Sequence, residues 1–346
     1  MTTDVTADVR ATLDAREAAL APAAARESTS AGRERPEPPD PLRLAYQLDR
    51  DRIIDTRAFR RLKHKTQVFI APDSDHVVTR MTHTIEVQQV ARTIARALNL
   101  NEDLAEAAGL GHDLGHTPFG HAGEEALAEL LPEGFRHNEQ SLRIVELLEH
   151  DGRGLNLTAE TREAILKHSK DRDSVAADAW GVASTLEGQI VKIADSIAYL
   201  NHDIQDAVRA GLLEEHDLPA EVRRTLGTDH STRVETLIAD SVQHSMAAVS
   251  DASGQGRITF SDPVLAATDV LRDFMFDRVY LNEATLREAR AGQDVVRALH
   301  RYFEAHPDGI PGWSLAGDPP WRRAADYVSG MTDPFARQVA RDLGLT

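Results

Sequence analysis

The apolar positions of this chain recur at helical spacing along most of its length. Val87, Val90, Ala91, Ile94 and Leu98 follow the i, i+3, i+4, i+7 rule and predict a helix over 84–98. Leu104, Ala107, Ala108 and Leu110 predict a second over 102–112, and the stretch 119–131 predicts a third. Further helices are expected over 138–148, 158–167, 234–249, 263–282 and 294–305. Ser184-Thr-Leu-Glu187 reads as a capping box with Ser184 as N-cap. It opens a long helix to about Ala207, whose Ile190, Ile193, Ile197 and Leu200 supply burial. Strand signals are sparse: 257–260 is the best candidate, at most one arm of a small hairpin. Trp313, Trp321 and Phe335 read as core or interface anchors. The expected fold class is all-α.

Before Leu42 the pattern fails. Residues 1–39 are dominated by Ala, Arg, Glu and Ser and close on Arg35-Pro-Glu-Pro-Pro-Asp40. With no apolar stripe to bury, they are expected to form a weakly ordered tail. A core domain is expected over 40–215. Residues 216–346 should form a helical region that packs on it and contributes to a cleft and an oligomer interface.

Composition narrows the setting. Hydrophobic residues at 41% and charged residues at 27% describe an ordinary globule. No apolar run approaches the roughly 20 residues of a membrane span. The absence of cysteine excludes disulfides and thiolate metal sites, and a cytoplasmic address is expected. The formal charge of −17 opposes nonspecific binding to nucleic acid or anionic membrane. An anionic substrate therefore requires local cations, either a metal or clustered arginines. The run from Arg50 to Lys65, which holds Arg52, Arg57, Arg60, Arg61 and Lys63, offers such a cluster; a solvated helix face is the alternative.

The densest chemistry lies in His112-Asp-Leu-Gly-His-Thr-Pro-Phe-Gly-His-Ala-Gly-Glu124, three histidines and two carboxylates in thirteen residues. Adjacent His112 and Asp113 diverge by about 100° on a regular helix. At a helix end both can still reach one metal ion, and Gly115 and Pro118 predict such an end. On the helix that follows, His121 and Glu124 lie three apart on one face. Farther along, Asp195, Tyr199 and Asp203 recur at i, i+4, i+8 on the long helix. An acid in so apolar a segment needs a partner, either a salt bridge or a metal. His83, at the edge of its helix, reads alone as a cap or surface residue.

Taken together, His83, His112-Asp113 and Asp195 come from three helices in an order that resembles the HD-domain metal-dependent phosphohydrolases. Two imidazoles and two carboxylates suit a divalent ion, with Mn²⁺ or Mg²⁺ foremost and Fe²⁺, Ni²⁺ and Zn²⁺ also suited. Longer motifs extend the likeness: Arg57-Ala-Phe-Arg-Arg-Leu-Lys-His-Lys65, Thr79-Arg-Met-Thr-His83, the His112–His121 run and His137-Asn-Glu-Gln-Ser141. They resemble bacterial deoxyguanosine triphosphate triphosphohydrolases, which cleave a dNTP to deoxynucleoside and tripolyphosphate.

That resemblance implies His121 and Glu124 as a catalytic pair, with His116 and His137 lining a phosphate pocket and His116 carrying a chemical role. Arg60 and Arg80 would contact phosphate, while Tyr199 and Asp203 would stack on the sugar and read its 3′-OH. It further implies a homo-oligomer, a hexamer or smaller, and a second dNTP as activator. Two alternatives are another HD phosphohydrolase, a 5′-nucleotidase or phosphodiesterase, and a catalytically silent regulator that binds nucleotide or single-stranded DNA.

Overall fold

One 24-residue helix, buried along nearly its whole length, sets the arrangement of all the others. The computed structural model describes residues 5–67, 78–169, 181–251, 256–312, 315 and 317–345. In chain order the helices are α1 (Val5–Ala18), α2 (Ala45–Ile54), α3 (Arg57–Arg61), α4 (Arg80–Ala97), α5 (Glu102–Gly111), α6 (Gly120–Leu130), α7 (His137–Arg143) and α8 (Ala159–Lys167). The long helix is α9 (Leu186–Arg209). It is followed by α10 (Ala220–Thr225), α11 (His230–Ser245), α12 (Asp262–Met275), α13 (Glu283–Ala305), α14 (Pro320–Ser329) and α15 (Asp333–Asp342). Short π-helical turns extend α7 over Ile144–Leu148 and α12 over Phe276–Tyr280.

Among the described residues there is no strand, only isolated bridges between Arg33 and Thr158 and between Thr66 and Thr79. The expected hairpin arm at 257–260 is a loop instead. Its backbone is taken up by side chains: Ile258 N donates to Gln189 Oε1 at 3.0 Å and Thr259 N to Ser245 Oγ at 3.1 Å. The fold is all-α.

Apolar side chains gather in three clusters. The largest joins α4, α5, α9, α11 and α12 through residues such as Ile94, Ile190, Ile197, Leu237 and Leu271. A second joins α6 to α13, α14 and α15 around Phe119, Leu127, Val296, Leu299 and Val328. A third, with Ile53, Leu62, Leu110, Leu114 and Ile165, lies under α2 and α3. Helices beyond residue 216 thus share cores with those before it. Trp321 packs against the second cluster, whereas Phe335 is 47% exposed. Trp313 lies outside the described residues.

The segment expected as a loose tail folds back onto the body. Ala21 and Ala24 enter the largest cluster. The Arg26 guanidinium donates to the carbonyls of Leu20, Ala21 and Ala24. Arg33 pairs with buried Asp49 and donates to Asn156 O at 2.7 Å. This order comes from a few alanines that reach the core and from arginine contacts both local and distant in sequence, which hydrophobic patterning does not register.

The start of α9 also differs from expectation. Thr185, not Ser184, is the N-cap, accepting from Gly188 N at 3.1 Å, a contact typically worth about 1 kcal/mol. Glu187 does not close a capping box. It is fully buried and accepts from Ala25 N at 3.0 Å and Asn101 N at 2.8 Å, tying the N-terminal segment and the α4–α5 turn to the central helix.

Candidate active site

The site forms where α4, the end of α5 and the middle of α9 meet. His83 lies on the first turn of α4, His112 is the residue that ends α5, and Asp195 faces them from α9. Nitrogen and carboxylate atoms of His83, His112 and Asp113 all lie within 4.8 Å of one another. His112 Nε2 is 3.4 Å from His83 Nε2 and 3.3 Å from Asp113 Oδ1, and His83 Nε2 is 3.2 Å from Asp195 Oδ1. All four expected ligands therefore come together.

Each imidazole is held from behind. His112 Nδ1 donates to Gly109 O at 2.7 Å, and His83 Nδ1 lies 2.9 Å from His202 Nε2. The Nε2 atoms are thus left facing the centre, as a metal ligand requires. Burial pushes His83 down to about 4, against the opposing pull of Asp195 and Asp113, which keeps its lone pair free near neutrality. Asp113 would be raised by burial, but His112, His116 and Arg80 outweigh this and hold it well below the usual carboxylate range. Two imidazoles and two carboxylates in this arrangement fit a divalent ion.

Beyond Asp113 the chain turns sharply. Gly115 passes so close to α7 that an added Cβ would sit 2.2 Å from Ser141 N and 2.3 Å from His137 O. Ser141 Oγ ties the two together, donating to His112 O at 2.7 Å and accepting from Gly115 N at 2.8 Å. The break continues to Phe119, whose φ of 62° is a left-handed conformation costing a non-glycine residue about 1–3 kcal/mol. Its surroundings compensate. The ring is buried against Gly292 with Arg337 4.9 Å over its face, and its N–H donates to Asp333 Oδ1 at 3.0 Å.

This turn delivers a histidine pocket beside the ligands. His121 Nδ1 and His137 Nδ1 both contact the Glu124 carboxylate, at 3.0 Å each, and the His121 side chain is 68% exposed. The His116 ring stacks on His137 with centroids 3.9 Å apart. His116 Nδ1 and Arg80 Nε are buried and have no hydrogen-bond partner among the described residues. Arg80 also donates to Asp113 Oδ2 at 2.9 Å, so the expected phosphate contact is at the same time a partner of a ligand carboxylate. Burial, then Arg80 and His137, press His116 well below the usual histidine range.

Arg60 does not join this group. It is exposed, and its guanidinium donates to Asp55 O at 2.6 Å and Thr56 O at 3.2 Å. Its turn of helix aims it away, and Lys65 of that stretch is buried instead, donating to His116 O and to Ser329 O at 2.8 Å.

Toward the end of α9, Asp203 is buried, with Tyr280 OH donating to Oδ2 at 2.5 Å and His202 Nδ1 2.9 Å from Oδ1. Burial, followed by Asp195 and Asp203, raises the Tyr199 phenol. Two functional candidates escaped the sequence reading. His202 backs His83, and His168 contacts His137 Nε2 at 3.2 Å; Tyr280, on the helix expected over 263–282, reaches Asp203. Helical-face spacing from Asp195 also reaches His202, seven residues on, whereas nothing local marks His168.

The arrangement is that of an HD-type metal phosphohydrolase centre. Residues 80–200 match the HD domain family, and 258–342 match the phosphohydrolase-associated domain. The chain is 49% identical over 320 residues to a deoxyguanosinetriphosphate triphosphohydrolase-like protein of Caldanaerobacter subterraneus subsp. tengcongensis, covering 92% of this chain and 90% of that one. Proteins of the same description from Desulfatibacillum aliphaticivorans (44% over 327 residues, 92% of each chain) and Clostridium perfringens strain 13 (45% over 309 residues, 88% of each) are similar. The chain belongs to the deoxyguanosinetriphosphate triphosphohydrolase-like family of HD-domain proteins.

Proposed function

We propose that this protein is a metal-dependent dNTP triphosphohydrolase, splitting a deoxynucleoside triphosphate into deoxynucleoside and tripolyphosphate. The observation that carries this reading is the adjacency of two groups. The ligand set His83, His112, Asp113 and Asp195 abuts a pocket in which buried Arg80 Nε and His116 Nδ1 have no hydrogen-bond partner among the described residues. Buried polar atoms in such a state are the kind a ligand satisfies.

The four ligands would hold a divalent ion, Mn²⁺ or Mg²⁺ foremost, which when bound supplies Lewis-acid polarisation of a phosphoryl oxygen. Arg80, with the ring of His137 beside it, offsets the negative charge of the polyphosphate chain. His121 is the group that exchanges a proton with the reacting oxygens. Its Nδ1 is fixed on Glu124, so Nε2 is the free position on an exposed ring. Tyr199 would stack on the sugar, with Asp203 beneath it reading the 3′-OH. A cytoplasmic homo-oligomer, a hexamer or smaller, activated by a second dNTP, completes the reading and is supported by likeness to the family.

The test is product analysis with each of the four dNTPs, singly and in mixtures, in Mn²⁺ and in Mg²⁺. Tripolyphosphate with free deoxynucleoside is the expected outcome. Release of orthophosphate or pyrophosphate would make the protein a different HD phosphohydrolase, and no turnover under any condition would leave a binding protein.

A further inference from the structure

Arg80 and His116, which each place a buried atom without a partner in the pocket, sit on different pieces of chain. Arg80 is the first residue of α4, and His116 lies in the turn beyond α5. Asp113 meets both side chains, Arg80 Nη1 at 2.9 Å and His116 Nε2 at 3.3 Å, but it belongs to the ligand set. The two main chains are joined by Lys65. Its carbonyl oxygen accepts from Arg80 N at 3.0 Å, while its Nζ donates to His116 O. A second donation from Nζ, to Ser329 O at 2.8 Å, anchors the side chain on the end of α14. An amine nitrogen has N–H bonds for two carbonyls in either protonation state, so both contacts stand without regard to charge.

We propose that Lys65 is a positioning residue that sets the separation of Arg80 and His116 for an incoming phosphate chain. The inference rests on the phosphate pocket of the triphosphohydrolase reading and names the residue that spaces it.

The surroundings of Lys65 agree with this role. It is 2% exposed, so its amine acts through the carbonyls it bonds rather than by touching substrate. The residues after it follow the same course: Thr66 forms an isolated bridge with Thr79, and Gln67 O accepts from Arg80 Nη2 at 3.3 Å. Gly120, at the start of α6, closes on this segment from the other side. An added Cβ there would lie 3.0 Å from both Gln67 O and Arg80 Nη2. Stretch 65–67 is thus wedged between the start of α4 and the far end of the His116 turn. Removing the Nζ donor would leave two buried carbonyls unpaired, which favours movement of that turn. A displacement of about 1 Å in a reacting site can cost roughly 100-fold in rate.

The experiment compares Lys65→Met, close in shape but without an N–H, with Lys65→Cys before and after alkylation by 2-bromoethylamine. The chain has no other cysteine, so alkylation in denaturant rebuilds a lysine-length amine at this position alone. The parent is unfolded and refolded in the same way as a control. Two calorimetric titrations are read without nucleotide: Mn²⁺ on metal-free protein, and magnesium tripolyphosphate on Mg²⁺-loaded protein. Lys65→Met and unalkylated Lys65→Cys should bind Mn²⁺ within a few-fold of the parent. Both should bind tripolyphosphate about 10–100-fold more weakly, the worth of one misplaced hydrogen bond to a charged group. Alkylation should recover most of that affinity. Unchanged tripolyphosphate binding in Lys65→Met overturns the proposal, and so does no recovery on alkylation. Equal losses for Mn²⁺ and tripolyphosphate would mark a merely structural lysine and overturn it too. If Lys65→Met does not fold, recovery in the alkylated protein decides. A parent that does not bind tripolyphosphate has no phosphate pocket to space, and the inference falls with it. A parent that binds it yet releases orthophosphate from dNTPs fails only the triphosphohydrolase reading.

Discussion

Two histidines of the same short stretch, His112 and His121, live in opposite surroundings. His112 is fully buried, its ring fixed by Gly109 O and walled in by His83 and His168. His121 stands mostly in solvent on the far side of the Phe119 turn, held by one contact to Glu124. A metal ligand must keep one geometry in every state of the cycle, so it is packed from all sides. A group that exchanges protons with substrate must be reachable, and a single carboxylate suffices to orient it. With the proposed roles, the left-handed residue between them lets one loop serve both demands.

The sharpest way to break this division is at the ligand end. Asp113→Asn should lose metal and turnover together, since the carboxylate supplies both charge and a donor; full metal occupancy by elemental analysis would refute the ligand assignment. Next comes the exposed end. His121→Ala should retain metal while kcat falls by roughly 10²–10⁴, the usual worth of a positioned acid–base group. The double variant with Glu124→Ala should be little worse than either single one, because the two act as a unit. Turnover within a few-fold of the parent would move the proton transfer to His116.

A smaller effect tests how far the buried region extends. His202→Leu keeps the volume but removes the partner of His83 Nδ1, and should weaken Mn²⁺ binding about 10–100-fold by calorimetry without nucleotide. Unchanged affinity would confine the ligand support to the first layer. The smallest effect belongs to Asp203→Ala, which should narrow the dGTP-over-GTP preference, because a site built around a hydroxyl loses selectivity with its partner. An unaltered ratio would detach α9 beyond Tyr199 from sugar recognition.

Much of this was legible in the sequence because it depends on period. Most of the expected helices followed the apolar spacing to within a few residues, although α13 begins at Glu283, well before the expected 294, and the four expected ligands were grouped by the family resemblance rather than by period. What escaped was through-space and polar. The N-terminal segment looked loose because arginines and carboxylates, rather than an apolar stripe, hold it down. Arg60 and Arg61 are neighbours in a basic run, and only the hand of a five-residue helix decides which of them faces solvent. His168 lies far from His137 along the chain, and no local pattern joins them. His202 was closer to hand, since the face that carries Asp195 and Tyr199 reaches it one position before Asp203.

The contact of Asp333 bears on how the two halves of the site depend on one another. Asp333 accepts from Phe119 N and also from Thr66, at 3.2 Å from its N and 2.6 Å from its Oγ1, so one carboxylate at the start of the last helix secures both the left-handed turn and the segment beside Lys65. The expected metal ligands all lie at or before α9, whereas the residue that secures the His116–His121 turn lies at the start of α15. Disturbing α15 would therefore unsettle the turn and the placement of His121 while leaving the helices that carry the expected ligands in place.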